Sequence, residues 1–193
     1  GVLREYQLEQ NKLEQEKTNQ KNISSIKNLN LAYHPMYLGD SNSAKVIYEF
    51  VDYNCGYCQK FHQELINVMN DNSLKLVIIQ MPILGNFSEE LTKLALASSL
   101  QGQFKVVHNY LYSTERKSKM EDILADLFLR GVDLDILKND LESQEVSDFL
   151  SIHRSYADEF KFTGTPATII GNQIIPGFID ADKITEILEK EFS

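Results

Sequence analysis

The segment from residue 46 to residue 58 constrains the fold more than any other. An apolar, β-branched run, Val46-Ile47-Tyr48-Glu49-Phe50-Val51, leads within a few residues into Cys55-Gly56-Tyr57-Cys58. Behind the second cysteine, Phe61, Leu65, Val68 and Met69 recur at helical spacing. A strand that ends in a thiol pair at the start of a helix is a βα unit. It needs a sheet on one side and a packed helix on the other. These are also the only two cysteines in the 193 residues. Two thiols at that spacing, at a helix start, point to redox chemistry.

The rest of the chain supplies the partners for this unit. Residues 74–81 form a second apolar run, which reads as a buried strand ended by Pro82. From 88 to 160 the pattern is helical. Ser88 is a candidate N-cap, followed by Glu89 and Glu90 in the first turn and by Leu91, Leu94 and Ala95. Phe104, Val107 and Leu111 continue the periodicity. Ile123, Leu124, Leu127 and Phe128 form a helix closed by Gly131. Val146, Phe149, Leu150, His153, Ala157 and Phe160 mark the last helix of the block. Strand signals return at Ala167-Thr168-Ile169-Ile170, turn at Gly171-Asn172, and run back through Gln173-Ile174-Ile175. Asp180 caps a final amphipathic helix carrying Ile184, Ile187 and Leu188. The expected architecture is α/β, with a mixed sheet, a parallel pair first and a hairpin last, and a helical insertion over about 85–162.

Residues 1–30 differ in character. They are rich in Gln, Asn, Lys and Glu, with a thin apolar set at Val2, Leu3, Tyr6, Leu8, Leu13, Ile23, Ile26 and Leu29. This predicts a helical arm that cannot bury itself, read either as an oligomerisation arm or as a frayed leader. A connector follows over 30–43, broken at His34-Pro35 and Gly39-Asp40. The domain reading is an arm over 1–30 and a catalytic domain over 31–193.

Composition excludes some partners. A formal net charge of −9 repels phosphate backbones, so nucleic acid is not expected. No stretch approaches the roughly 18 apolar residues of a membrane span. No signal peptide is visible before Gly1-Val2-Leu3, and a mature form is expected.

The chemistry of the cysteine pair follows from position. Exchange needs a thiolate, and a helix N-terminus offers unpaired N–H groups and partial positive charge. Cys55, at that end, is expected to be the exposed nucleophile with a depressed pKa. Cys58, one turn further in and more buried, is expected to resolve the mixed disulfide. Gly56 and Tyr57 between them carry no cation, so a moderately oxidising couple is expected. Other readings of the pair fit less well. A structural bridge across two residues removes little chain entropy. Half a zinc site, with His62 after Cys58, lacks a second ligand pair, and no metal is expected. A haem attachment needs His where Gln59 stands.

Two further elements bear on the site. Thr165-Pro166 leads into a strand, where proline marks a cis bond, a sheet edge or a simple turn. Glu49 interrupts an apolar strand; a buried carboxylate there needs a reason, and an outward-facing one does not. Tyr53 and Tyr57 flank the cysteines as an apolar docking surface or as packing. His34, His62, His108 and His153 are scattered and read as surface or core-edge residues.

These residues resemble the DsbA-like thiol-disulfide oxidoreductases of the thioredoxin superfamily, and within them the ScsC-like branch with its N-terminal oligomerisation arm. The resemblance covers about 38–192. It rests on Glu49-Phe50-Val51-Asp52-Tyr53-Asn54-Cys55-Gly56-Tyr57-Cys58, Pro82-Ile83-Leu84-Gly85, Gln101-Gly102-Gln103-Phe104 and Gly164-Thr165-Pro166-Ala167. It implies a thioredoxin fold with a helical insertion and no cofactor beyond a redox-active Cys55–Cys58 disulfide. It implies a cis bond before Pro166 that faces the cysteines, with the Thr165 backbone free to pair with an extended substrate. Gly56, Tyr57, Thr165 and Pro166 are thus the expected substrate contacts, and residues 82–87 are expected along the same groove. Glu49 is implied to lie beneath the cysteines and to exchange protons with Cys58. The family further implies unfolded or misoxidised protein substrates, a redox partner protein in the membrane, a periplasmic location, and a homo-oligomer, dimer or trimer. Thr before the proline, together with the arm, favours isomerase or dual activity over pure oxidation. The alternatives are a glutathione-dependent reductase or peroxidase acting on small thiols, and a redox-sensing chaperone or binding module.

Overall fold

The structure is a computed structural model that describes residues 1–29 and 36–193. The expected breaker His34-Pro35 lies outside the described residues. In chain order the elements are α1 (Val2–Lys27), β1 (Tyr37–Gly39), β2 (Val46–Val51), α2 (Gly56–Asp71), β3 (Lys75–Gln80), α3 (Asn86–Leu100), α4 (Phe104–Leu111), α5 (Met120–Leu129), α6 (Leu134–Leu141), α7 (Gln144–Glu159), β4 (Ala167–Ile170), β5 (Gln173–Pro176) and α8 (Ala181–Phe192).

The five strands form one mixed sheet in the order β1-β3-β2-β4-β5. Strands β2 and β3 are parallel, β4 runs antiparallel to β2, and β5 returns antiparallel to β4. The central strands alternate between two apolar layers, as a side-chain period of two requires. Ile47, Val51, Leu76, Ile78 and Ile170 face the layer built with α2, α8 and the insertion, through Phe61, Leu65, Ile184 and Leu188. Tyr48, Phe50, Val77, Ile79 and Ile169 face the other layer, where Ala157 of α7 and Ile23 and Ile26 of α1 close over them.

The last turns of α1 are therefore part of the folded domain. Ile23 and Ile26 are buried, and the Asn22 side chain donates to the Glu159 carbonyl at 2.8 Å. Burying each isoleucine is worth about 1.5–3 kcal/mol, enough to hold this end of the helix in place. The earlier turns are different: Val2, Leu3, Tyr6, Leu8 and Leu13 are all exposed.

Several local expectations are corrected. Ser88 does not cap α3. It is buried in the third position of the helix, and Gly85 is the N-cap at φ 102°, a left-handed backbone that glycine adopts without strain. Helix α6 and strand β1 were not anticipated. The first is eight residues long with one fully buried side chain, Leu137, so its periodic signal is weak. The second is a three-residue edge strand inside the expected connector. Asp180 does cap α8, accepting from the Lys183 N–H at 2.9 Å.

Candidate active site

The site is assembled where β2 ends. Asp52, fully buried, directs the chain out of the sheet. Its Oδ1 accepts the Asn54 N–H at 2.8 Å, and its Oδ2 accepts the N–H groups of Ile83 and Leu84 at 2.8 and 3.0 Å. Its carbonyl accepts the Cys55 N–H at 3.2 Å. One carboxylate thus ties the loop before α2 to the loop after β3. Asp52→Ala leaves three amides without that acceptor and is expected to lower unfolding free energy by about 2–3 kcal/mol in a urea titration. Asp52 was not singled out from the sequence, because an Asp beside a turn is ordinary until its partners are known.

Cys55 is the N-cap of α2, with an extended backbone, and its Sγ accepts the Cys58 N–H at 3.2 Å. One sulfur thus sits at the N-terminus of the helix with a backbone N–H directed at it. Cys55 is half-buried and Cys58 fully buried; both are unbridged. Burial, the largest influence, pushes the Cys58 thiol well above the usual range, with the bond to Cys55 adding to it. The positional split between an accessible and an enclosed sulfur is thus present, as the spacing predicts.

Thr165 lies against this pair from the other end of the chain. The Thr165–Pro166 peptide is cis, and the Cys55 thiol points at the Thr165 carbonyl oxygen, 3.5 Å away. Pro166 is buried, and its carbonyl accepts the Gly177 N–H at 2.8 Å, closing the base of the β4–β5 hairpin. Gly56 is exposed, and nothing within 4 Å would meet a side chain there. Tyr57 is 63% exposed, with its ring 6.3 Å from that of Phe178, itself 39% exposed. Ile83 and Leu84, held by Asp52, are exposed as well. Exposed apolar side chains thus stand next to Cys55 in the chain and on the loop that Asp52 ties to it. Phe178 joins it through the fold alone, since its loop gives no periodic signal.

Glu49 sits on the sheet face that α2 covers, between Ile78 of β3 and Thr168 of β4 in register. It is fully buried. Among the described residues neither carboxylate oxygen has a hydrogen-bond partner, and the same holds for the Thr168 hydroxyl. Burial alone pushes its pKa up to about 8 from the usual 4.5. The outward-facing alternative is thereby excluded.

Of the two readings of Tyr53, packing holds and docking does not, since it is only 2% exposed. It is buried in a polar cluster: its hydroxyl shares a hydrogen bond with His108 Nδ1 at 2.7 Å and accepts from Gln80 Nε2 at 3.0 Å. Nor are the histidines scattered on the surface. His62, His108 and His153 are buried, and the rings of His62 and His108 lie 5.0 Å apart beside Tyr112. Burial pushes His62 down to about 4 and His108 well below the usual imidazole range, so both are neutral at ordinary pH. His34 lies outside the described residues. Sequence separation hid this cluster, because α2 and α4 meet only in the tertiary fold.

A cleft of about 160 Å³ opens beside Cys55 and Gly56, lined by Tyr53, Asn54, Gln59, Leu111, Tyr112 and Arg116. Arg116, in the connection from α4 to α5, donates to the Tyr53 carbonyl at 2.6 Å and to Asn54 Oδ1 at 3.2 Å. Among the described residues, no group of three His, Cys, Asp or Glu side chains could hold a metal ion. Among them, too, no helix is long and apolar enough to cross a membrane.

Comparison with known proteins agrees with this geometry. A family described as thioredoxin matches residues 32–190. A probable disulfide bond formation protein D from Bacillus cereus is 23% identical over 169 residues, covering 80% of this chain and 77% of that protein. The thiol-disulfide exchange protein alpha-DsbA2 of Wolbachia pipientis superposes with a TM-score of 0.80 at 25% identity, over 91% of this chain and 97% of that one. The catalytic domain of Proteus mirabilis ScsC shares the fold, with a TM-score of 0.69 at 22% identity over 80% and 87% of the two chains. With a cysteine pair capping α2, a cis-proline facing it and a family match across most of its length, the chain belongs to the thioredoxin family as a DsbA-like thiol-disulfide oxidoreductase.

Proposed function

We propose that this protein forms and isomerises disulfide bonds in exported protein substrates, with isomerisation a principal activity. The observation that carries the reading is the meeting of the half-buried Cys55 sulfur with the Thr165 carbonyl under an open apolar rim. An extended substrate strand can pair with the Thr165 backbone there and present a sulfur to Cys55. In oxidation, a substrate thiolate attacks Cys55 of the enzyme disulfide, and Cys58 leaves as a thiolate. A second substrate thiolate then attacks the substrate sulfur of the mixed disulfide, and Cys55 leaves. In isomerisation, the Cys55 thiolate attacks a wrong substrate disulfide. The freed substrate thiolate attacks elsewhere, and Cys55 returns unchanged. When no substrate thiol is placed to do so, Cys58 attacks Cys55 and releases the substrate reduced. Glu49, the buried carboxyl on the α2 side of the sheet, takes the Cys58 proton in that step.

The oligomer belongs to the same reading. Val2, Leu3, Tyr6, Leu8 and Leu13 stand exposed on α1, and a second copy of the chain would cover them. Several active sites held together retain a substrate while its bonds reshuffle, which an isomerase requires. The location is the periplasm, and a membrane redox partner sets the state of the cysteine pair.

The test is refolding of a scrambled disulfide substrate by the full chain and by a version lacking residues 1–18. That truncation keeps Ile23 and Ile26, which the fold needs. The expected result is a fall to monomer mass, with isomerase activity reduced several-fold and reduction of a small disulfide retained. Full isomerase activity in a monomer overturns the oligomeric reading.

A further inference from the structure

We propose that the cleft around Arg116 is a subsite for an acidic side chain next to the reacting cysteine of a substrate polypeptide. The inference rests on the oxidoreductase reading and adds a specificity to it.

The surroundings of Cys55 are chemically mixed. Tyr57, Phe178, Ile83 and Leu84 form the apolar rim. The cleft shares Cys55 and Gly56 with the site, and its other walls include Asn54, Gln59 and Arg116. Cys55 thus adjoins a cleft that holds a cation as well as the exposed ring of Tyr57, two residues along the chain.

Arg116 is suited to an incoming carboxylate. Its guanidinium carries five N–H donors in a fixed fork, and the bonds to the Tyr53 carbonyl and Asn54 Oδ1 hold it in place using two of them. Among the described residues it forms no salt bridge; the four ion pairs there involve Lys93, Arg130, Arg154 and Lys183. The nearby Asp52 carboxylate acts on Arg116 electrostatically, but its oxygens are engaged by the amides of Asn54, Ile83 and Leu84 rather than by the guanidinium. A guanidinium fixed by carbonyls, with donors to spare, loses little entropy on gaining an anion.

Size decides what kind of carboxylate enters. At about 160 Å³ the cleft is smaller than the roughly 300–1,000 Å³ of a site that encloses a small molecule. It fits one side chain of a polypeptide docked along the rim, not a whole thiol tripeptide. The overall negative charge disfavours acidic chains at long range, so the preference is local and belongs to residues adjoining the cysteine.

The experiment offers reduced full-length enzyme three short peptides with one cysteine each, flanked by Asp, Asn or Lys. The cysteine is carried as a mixed disulfide with thiopyridine. The Cys55 thiolate attacks the peptide sulfur, the Cys55–peptide bond forms, and neutral thiopyridone leaves after taking a proton from solvent. Cys58 then attacks Cys55 and releases the peptide thiol, leaving the enzyme oxidised. The second-order rate constant of this single turnover is divided by that of the same peptide with free dithiothreitol, which removes differences in intrinsic reactivity. The expected preference for the Asp over the Lys peptide is about five- to tenfold, as a partly screened charge-assisted bond supplies. It falls as salt rises, a readout that needs no variant. Arg116→Gln brings the ratio to near one, and Arg116→Glu inverts it. A wild-type ratio near one, or a ratio unchanged in Arg116→Gln, overturns the subsite while exchange itself stays intact. No exchange with any of the three peptides overturns the oxidoreductase reading along with it.

Discussion

Cys55→Ser abolishes disulfide exchange, whereas Cys58→Ala keeps the first attack and loses enzyme-driven release. The asymmetry follows from the two sulfurs' surroundings. Cys55 is half-buried and caps α2, so a substrate sulfur can reach it. A serine there can still accept the Cys58 N–H, so the fold is expected to hold while no sulfur remains to form a mixed disulfide. Cys58 is fully enclosed, and burial holds its thiol protonated. It can attack only a disulfide already attached to Cys55. Incubating Cys58→Ala with a disulfide-bonded protein, then quenching with acid and weighing the products by mass spectrometry, should show the covalent adduct accumulating. Cys55→Ser should show none. An adduct of equal yield through Cys58 alone would reverse the assignment of roles.

Glu49→Gln is expected to stabilise the protein and slow it at once. The unfolded chain releases the Glu49 proton near pH 4.5 and the folded chain near 8. Between these values the folded state holds more protons than the unfolded state, so stability falls as pH rises through that window. The glutamine variant has no such proton. The two should be similar in stability at pH 4.5 and below, and should diverge until about pH 8, where the variant is ahead by on the order of 4 kcal/mol. Urea titrations at pH 5 and pH 8 measure this difference. A pH-independent difference would mean that Glu49 does not titrate as its burial requires. The same substitution removes the group proposed to accept the Cys58 proton. Release of the trapped substrate is expected to slow by about 10²-fold, the scale of a positioned base, while first attack by Cys55 is unchanged. An unchanged release rate would take Glu49 out of the mechanism and leave its effect on stability standing.

Much of this site was legible in the chain because its signals are local. Strand β2, the cysteines and α2 are contiguous, so their order, the capping role of Cys55 and the enclosure of Cys58 follow from spacing and periodicity. The β4–β5 hairpin and Asp180 as a cap are equally local. What escaped was short or non-local. β1 is three residues at an edge, and α6 has a single fully buried apolar residue. Asp52 acts through amides 31 and 32 residues away, and Arg116 through a carbonyl 63 residues away. The place of Tyr53 stayed open because an aromatic beside a motif suits a surface and a core equally well. Only its bonds to His108 and Gln80 place it in the interior.

The sequence by itself determined the chemistry: two thiols, one turn apart at a helix start, with a carboxylate in the strand before them and a proline-led strand about 110 residues later. Covalent spacing and side-chain period are enough for that, because they act over one or two turns of chain. The tertiary structure decided everything that depends on which segments meet. It placed the Thr165 carbonyl 3.5 Å from the Cys55 sulfur, enclosed Glu49 without a partner, drew His62 and His108 together beneath the site, and set a cation beside the nucleophile. Those placements depend on the closing of a mixed sheet and the docking of a helical insertion on it. They follow from burial shared among distant residues, which no local stretch of chain encodes.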